Sequence, residues 1–128
     1  MKKVFLLVIF SIVVFAQNFE VKLFSELFTT LFNKKPVYIY TENKKYKTLH
    51  SLNLFVTNNC KKADIVLGVS EKCKDKPHFL LDYYNYKNDK NAIGALYWRK
   101  GRPQLRLRED NIKKYNLIIA PSFSEYLE

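Results

Sequence analysis

Few side chains in this sequence are of a type and spacing that could do chemistry. His50 and His78 are the only histidines, and no Gly-x-Ser-x-Gly nucleophile motif occurs in the chain. With three glycines in all, the sequence also lacks a glycine-rich loop that could hold a phosphate. Each histidine therefore fits a structural role, and we predict a protein that is not an enzyme and has no cofactor.

Cys60 and Cys73 are the only cysteines. An even pair in an exported protein is typical of a disulfide, and a bridge that closes so short a loop would add roughly 3 kcal/mol of stability. A metal site made of both cysteines and His78 is an alternative, but the close Cys-x-x-Cys or His-x-x-x-His spacing of such sites is missing. A free or redox-switchable dithiol is a third. We predict the disulfide and no metal.

One carboxylate follows a predicted strand at a position where ligands often bind. Asp82 ends the sequence HFLLD at residues 78–82, which we predict to be a buried strand. In open α/β sheets, ligands bind beyond the carboxyl ends of the strands. Asp82 is therefore a candidate ligand-binding residue.

Basic and aromatic side chains are concentrated between residues 83 and 108. Tyrosine is favoured at protein contacts, although packing beneath a loop would explain a tyrosine cluster equally well. A basic and aromatic surface could also bind nucleic acid, which an export signal argues against, or it could be a solvated face. An acidic partner surface or an anionic ligand would also suit it, and we predict a surface that binds a partner protein. Its residues are Tyr83, Tyr84, Tyr86, Trp98, Arg99 and Arg102.

The first part of the chain has the pattern of an export signal. Lys2 and Lys3 precede an apolar segment at residues 4–15, and Ala16 satisfies the small-residue rule for cleavage, which gives a mature start near Gln17. An uncleaved membrane anchor is the alternative, but the apolar segment is short for a spanning helix. We expect a signal peptide at residues 1–16, a periplasmic location and one domain at residues 17–128.

The formal net charge is +10, and it falls to +8 when Lys2 and Lys3 are removed with the predicted signal. A basic exported domain could meet anionic lipid, glycan, nucleic acid or an acidic protein surface, while a generally lysine-rich composition is an equal explanation. Residues 17–128 are enough for one hydrophobic core, but not for a two-lobed enzyme with a deep cleft.

The spacing of apolar residues predicts alternating helices and strands. Residues 19–33 carry apolar side chains at spacings of one, three and four, which indicates a core helix, or else a helix that binds a membrane surface or a partner. Glu20, Lys22 and Glu26 are expected on its solvent side. We predict strands at residues 37–40, 54–57, 64–69 and 78–82, and helical turns within residues 46–52 and 83–91.

Residues 93–108 are predicted to form a hairpin. Strand alternation puts Leu96 and Trp98 on one face of its first strand and Ile93 on the other. Residues 100–103 (KGRP) are typical of a turn. The return strand alternates between inward leucines and an outer basic face.

The C-terminal part carries signals for two short helices. We expect Asp110 to cap the first and Asn116 to end it in a left-handed conformation, while Ser122 and Glu125 have the spacing of a capping box for the second. The whole pattern predicts the α/β class. We expect a single small layered domain with a mixed, mainly parallel sheet that ends in an antiparallel hairpin, and with helices on both faces.

Several short motifs resemble those of one family. Residues 20–22 (EVK) open an aromatic helix that ends at Pro36, residues 63–67 (ADIVL) resemble a core strand, and residues 93–96 (IGAL) resemble the strand after it. Residues 105–117 are similar to the segment that follows. On these motifs the chain resembles the YfiR-like family of small periplasmic proteins, as a shortened and divergent member.

The resemblance implies a regulatory function. Members of the family are periplasmic signalling proteins, and the best-known type represses an inner-membrane diguanylate cyclase by binding its periplasmic sensor region. The implied partner is thus a membrane sensor protein, either a diguanylate cyclase in cyclic di-GMP signalling or a histidine kinase. A homodimer is compatible with this function, and nucleic acid is not expected. The alternative is a periplasmic domain that binds a small solute near Asp82.

Overall fold

We describe residues 19–49 and 51–128 in a computed structural model of the chain. The predicted signal peptide and His50 lie outside the described residues. The strands are β1 (Val37–Thr41), β2 (Leu54–Val56), β3 (Ile65–Leu67), β4 (His78–Leu80), β5 (Ala92–Arg99) and β6 (Arg102–Leu107). The helices are α1 (residues 19–32), α2 (Tyr83–Asn88), α3 (Glu109–Lys114) and a 3-10 helix at Pro121–Tyr126.

All six strands form one sheet in the order β2-β1-β3-β4-β5-β6. Every neighbouring pair is parallel except the β5–β6 hairpin, which is antiparallel. α1 and α3 pack on one face of the sheet and α2 packs on the other. The predicted fold class is confirmed: a small α/β domain with a mixed, mainly parallel sheet, a final hairpin and helices on both faces.

α1 covers the sheet with the apolar stripe that its spacing predicts. Phe24 and Phe28 are fully buried, and their ring centroids lie 5.7 Å and 5.2 Å from that of Phe79 on β4. Ile112 of α3 and Phe123 of the 3-10 helix complete the same core. The interpretation of residues 19–33 as a core helix is therefore confirmed.

The opposite face of the sheet is covered by two smaller units. A loop closed by the Cys60–Cys73 disulfide packs on Tyr40 of β1 and Val66 of β3. Farther along the sheet, α2 packs on β4 and β5 through Tyr86. The predicted disulfide thus holds in place a loop that covers β1 and β3. Among the described residues, no helix packs on this part of the face.

The hairpin turn is tighter than predicted. Lys100 and Gly101 alone form the loop, with φ angles of 52° and 77°, and Arg99 pairs directly with Arg102. Positive φ at both positions is typical of a two-residue type I′ turn. Arg102 and Pro103, which were expected in the turn, therefore belong to β6.

A β-bulge changes the expected faces of β5. The pairing of β4 with β5 shifts by one residue after His78. As a result, Ile93 packs in the same core cluster as Leu96, whereas Ala92 and Ala95 pack under α2. The prediction that Ile93 lies opposite Leu96 is wrong, because the bulge interrupts the alternation of side chains.

The predicted helix signals near the C terminus have mixed outcomes. Asn116 has a φ of 56°, so the left-handed end of α3 is confirmed. Arg108, not Asp110, precedes the first residue of α3, and Asp110 lies in the first turn. The capping box of Ser122 and Glu125 is wrong, since the last helix is a 3-10 helix without a side-chain cap. Within residues 46–52, the described positions form turns rather than a helix.

Candidate binding surface at the carboxyl end of the sheet

Most of the predicted site residues meet at one end of the sheet. β1, β3, β4 and β5 are parallel, so their carboxyl ends lie at the same edge. The start of α1 lies there too, because Glu20 contacts both Trp98 near the end of β5 and Tyr46 in the loop after β1. We call this edge the carboxyl end.

One cavity opens at this end, and a second cavity, which shares Val69 with the first, extends along α2. One, of about 230 Å³, is lined by Glu42, Asn43, Gly68, Val69, Leu81 and Asp82. The other, of about 300 Å³, is lined by Val69, Leu80, Asn85, Asn88, Asp89 and Lys90. The candidate ligand residue Asp82 therefore does line a cavity at the carboxyl ends of the strands.

Asp82 also has a structural role that the sequence analysis did not assign. It is the N-cap residue of α2, and its Oδ1 atom accepts a hydrogen bond from the backbone N–H of Asn85 at 2.7 Å. Its Oδ2 atom accepts a second hydrogen bond from the Asn85 side-chain amide, also at 2.7 Å. Both oxygens are thus engaged, and the polar groups that line the same cavity beside Asp82 are Glu42 and Asn43.

Of the three predicted surface tyrosines, two are exposed and one is buried. Tyr83 is 45% exposed and Tyr84 is 74% exposed, at the start of α2. Tyr86 is only 2% exposed, so the prediction that it belongs to the surface is wrong. Its hydroxyl donates to Glu128 at 2.7 Å, and the Arg108 guanidinium lies 4.4 Å from its ring centroid. Burial and Glu128 raise the pKa of Tyr86, which keeps the donor protonated.

The remaining predicted residues lie on opposite faces of the hairpin. Trp98 faces α1: its Nε1 atom donates to Glu20 at 3.1 Å and its ring lies 6.1 Å from that of Phe19. Arg99 follows Trp98 on β5 and pairs with Arg102, so these two arginines share the other face. The predicted set is therefore not one continuous patch.

Two residues outside the six predicted partner-binding residues join the arginines to Tyr83. The rings of Tyr83 and Tyr97 lie 5.9 Å apart, and the Arg106 guanidinium lies 5.1 Å from the Tyr83 ring. The Arg106 Nε atom donates to the Tyr97 hydroxyl at 2.8 Å. Strand alternation puts both on the same face as Arg99, and Arg106 belongs to the outer basic face predicted for the return strand. We call this surface the tyrosine–arginine face: Tyr83, Tyr84, Tyr97, Arg99, Arg102 and Arg106.

Glu20 is the least expected residue at the carboxyl end. It was predicted on the solvent side of α1, but it is 3% exposed and accepts hydrogen bonds from Tyr46, Trp98 and Lys45. Burial and the neighbouring carboxylate raise the pKa of Tyr46, so its hydroxyl remains a donor. The prediction is wrong because the loop after β1 and the end of β5 enclose this position of α1. The hydrogen bonds that the buried carboxylate accepts offset the cost of its burial.

The cysteines and His78 do not form a metal site. Cys60 and Cys73 are joined in the predicted disulfide, and the buried His78 ring contacts the carboxylate of Asp89. Over residues 19–49 and 51–128, no group of three or more histidine, cysteine, aspartate or glutamate side chains could hold a metal ion. In the same part of the chain, no helix is long and apolar enough to cross a membrane.

No protein-family model matches this sequence, and no curated protein or solved structure matches it. The likeness to the YfiR-like family therefore stays a prediction that depends on the short motifs quoted above.

Proposed function

We propose that this protein is a non-catalytic periplasmic regulator whose tyrosine–arginine face binds an acidic surface of a membrane sensor protein. The observation that carries the proposal is the juxtaposition of Tyr83, Tyr97 and Arg106 beside the exposed pair Arg99 and Arg102. The disulfide is consistent with a location outside the cytoplasm.

The chemistry of the face favours a protein partner. Tyrosine and arginine are enriched at protein interfaces, where they supply rigid aromatic area and fork-shaped hydrogen-bond donors. Arg106 is already held in place by the Tyr97 hydroxyl and by Glu128 at 2.8 Å, so little side-chain entropy is lost when it meets a partner.

Arg99 and Arg102 add a specific reason to expect an acidic partner. They lie directly opposite each other across the hairpin, and like charges in this position repel. A carboxylate of the partner that binds between them would remove this repulsion and accept hydrogen bonds from both guanidinium groups. The partner class comes from the family resemblance: the periplasmic region of a diguanylate cyclase in cyclic di-GMP signalling, or of a histidine kinase.

Affinity capture from an envelope extract, followed by mass spectrometry, tests the proposal. We expect the wild-type protein to recover a membrane diguanylate cyclase or histidine kinase and the Arg99→Gln/Arg102→Gln variant to lose it. A matched control is Lys62→Gln/Lys72→Gln, which removes two exposed cations elsewhere on the surface and should capture the partner normally. Equal recovery by all three proteins would show that another surface binds. Recovery of abundant envelope proteins alone would refute the regulatory function.

A second candidate function is the binding of a small solute at the carboxyl end. The cavity lined by Glu42 and Asp82 favours it, because it lies beyond the carboxyl ends of parallel strands. A screen of small molecules should then find one that raises the melting temperature. Glu42→Gln should abolish that rise without lowering the melting temperature of the free protein.

A further inference from the structure

Trp98 lies on the α1 side of the carboxyl end, away from the tyrosine–arginine face. It is the only tryptophan of the chain, and 42% of it is exposed. The hydrogen bond to Glu20 and the contact with Phe19 fix the ring in place. This leaves a half-exposed aromatic side chain, held rigidly, beside the start of α1.

Exposed lysines lie close in the sequence to the residues that hold this tryptophan. The Tyr46–Glu20 hydrogen bond holds the loop after β1 against α1, and Lys45 lies 3.2 Å from the same carboxylate. Glu20 is buried, and Glu26 of α1 and Glu42 of this loop are the exposed carboxylates of these segments. The exposed lysines outnumber these two carboxylates. The exposed lysines of α1, the loop and the hairpin tip are Lys22, Lys44, Lys45, Lys47 and Lys100.

From this arrangement we infer that the α1 side of the carboxyl end docks on an anionic membrane surface. Tryptophan is favoured at membrane interfaces, and each lysine near an anionic lipid surface strengthens binding.

The types of cation distinguish this surface from the tyrosine–arginine face. Arg99 and Arg102 lie on the other face of the hairpin, and the exposed cations of α1, the loop after β1 and the hairpin turn are lysines, which are flexible point charges without a fixed donor geometry. The phosphate groups of a fluid membrane surface attract positive charge without requiring a fixed arrangement of hydrogen-bond donors. The arginines on the other face instead suit carboxylates that a protein holds in defined positions. Docking through Trp98 would leave the tyrosine–arginine face free to bind the sensor.

The single tryptophan makes the inference directly measurable. The full chain, purified as the cell processes it, is mixed with phosphatidylcholine vesicles with or without phosphatidylglycerol, and with brominated acyl chains that quench tryptophan at the interface. We expect the fluorescence of Trp98 to shift to the blue and to be quenched only when phosphatidylglycerol is present, and high salt should reverse both changes.

Two variants separate the docking surface from general positive charge. Lys44→Gln/Lys47→Gln should weaken binding to the anionic vesicles roughly 30-fold. Lys62→Gln/Lys72→Gln removes the same charge elsewhere and should bind almost as the wild type does. Vesicle binding without quenching of Trp98, or equal binding with and without phosphatidylglycerol, would overturn the inference. A Lys44→Gln/Lys47→Gln variant that binds vesicles normally but no longer captures the sensor would assign this surface to a protein instead.

Discussion

The Nδ1 atom of His78 lies 2.7 Å from the Oδ2 atom of Asp89, and the second ring nitrogen, Nε2, lies 3.3 Å from the carbonyl oxygen of Cys73. Both neighbours are hydrogen-bond acceptors, so the doubly protonated imidazolium satisfies them best. Asp89 is the C-cap residue of α2 and Cys73 is one half of the disulfide. The ring therefore connects the two units that cover this face of the sheet.

We expect this contact to make stability depend on pH above about 6.5, the ordinary pKa of histidine. Burial lowers the pKa of His78, but the hydrogen bond and charge of Asp89 and the Cys73 carbonyl outweigh it, so the pKa is raised. A raised pKa in the folded state adds stability that is complete below about pH 6.5, the unfolded value, and is lost as the pH rises through the folded pKa. Asp89 itself, despite its burial, has a lowered pKa, so it loses its contribution only in acid.

The Asp89→Asn variant checks this expectation. It removes the charge that holds the imidazolium and should cost about 2 kcal/mol near pH 6, the strength of a hydrogen bond to a charged group. The difference from wild type should shrink as the pH rises from about 6 to 9, because His78 becomes neutral in both proteins. Urea unfolding at several pH values measures this. A difference in unfolding free energy between the two proteins that stays the same at every pH would show that the pair does not titrate in this range.

The disulfide should contribute a large share of stability. Cys60 and Cys73 are 13 residues apart, and closing a loop of that length stabilises the fold by about 3 kcal/mol. Cys60→Ser should therefore lower the melting temperature in oxidising buffer by roughly 10 °C or more. Wild-type protein in reducing buffer is the control and should melt near the variant. An unchanged melting temperature would mean that the bridge is absent or without effect.

The elements of the fold could be predicted because their signals are local. β1, β2 and β3 coincide with short β-branched or apolar segments, and the spacing of apolar residues marked α1. Asn116 ends α3 in the expected left-handed conformation because few residue types tolerate it. The bulge after His78 has no such signal, since it depends on how β4 pairs with β5 and not on either segment alone.

The site was harder to predict because it is assembled over long distances in the sequence. Glu20 is buried by contacts with Tyr46 and Trp98, which are 26 and 78 residues away, so the helix pattern alone suggested solvent. Tyr86 is buried within a helix of six residues, too short to show a period. The separation of Trp98 from Arg99, by contrast, follows from strand alternation, which the prediction of one patch overlooked.

Gly94 should be irreplaceable at the hairpin. A Cβ atom there would lie 2.7 Å from the Arg106 carbonyl oxygen and 2.9 Å from both Leu107 and Phe79. Because backbone and buried side chains cannot move aside, Gly94→Ala should cost about 3 kcal/mol, the upper range for overpacking. Gly101→Ala is the matched control: a Cβ there meets open space, and its φ of 77° adds only about 1 kcal/mol of strain. Equal losses by urea unfolding would contradict the close approach.

Glu20 should hold three separate elements together at the carboxyl end. In Glu20→Gln, the amide oxygen can accept from the Trp98 indole and the amide nitrogen can donate to the Tyr46 hydroxyl, so both contacts survive as neutral hydrogen bonds. The variant loses the charge that strengthens both bonds and the ion pair with Lys45, which should cost about 2 kcal/mol. The emission of Trp98, the only tryptophan, should shift to the red as its ring loosens. Glu26→Gln changes an exposed carboxylate of the same helix and should stay within about 0.5 kcal/mol of wild type. If both variants unfold alike, the buried carboxylate does not organise this end of the domain.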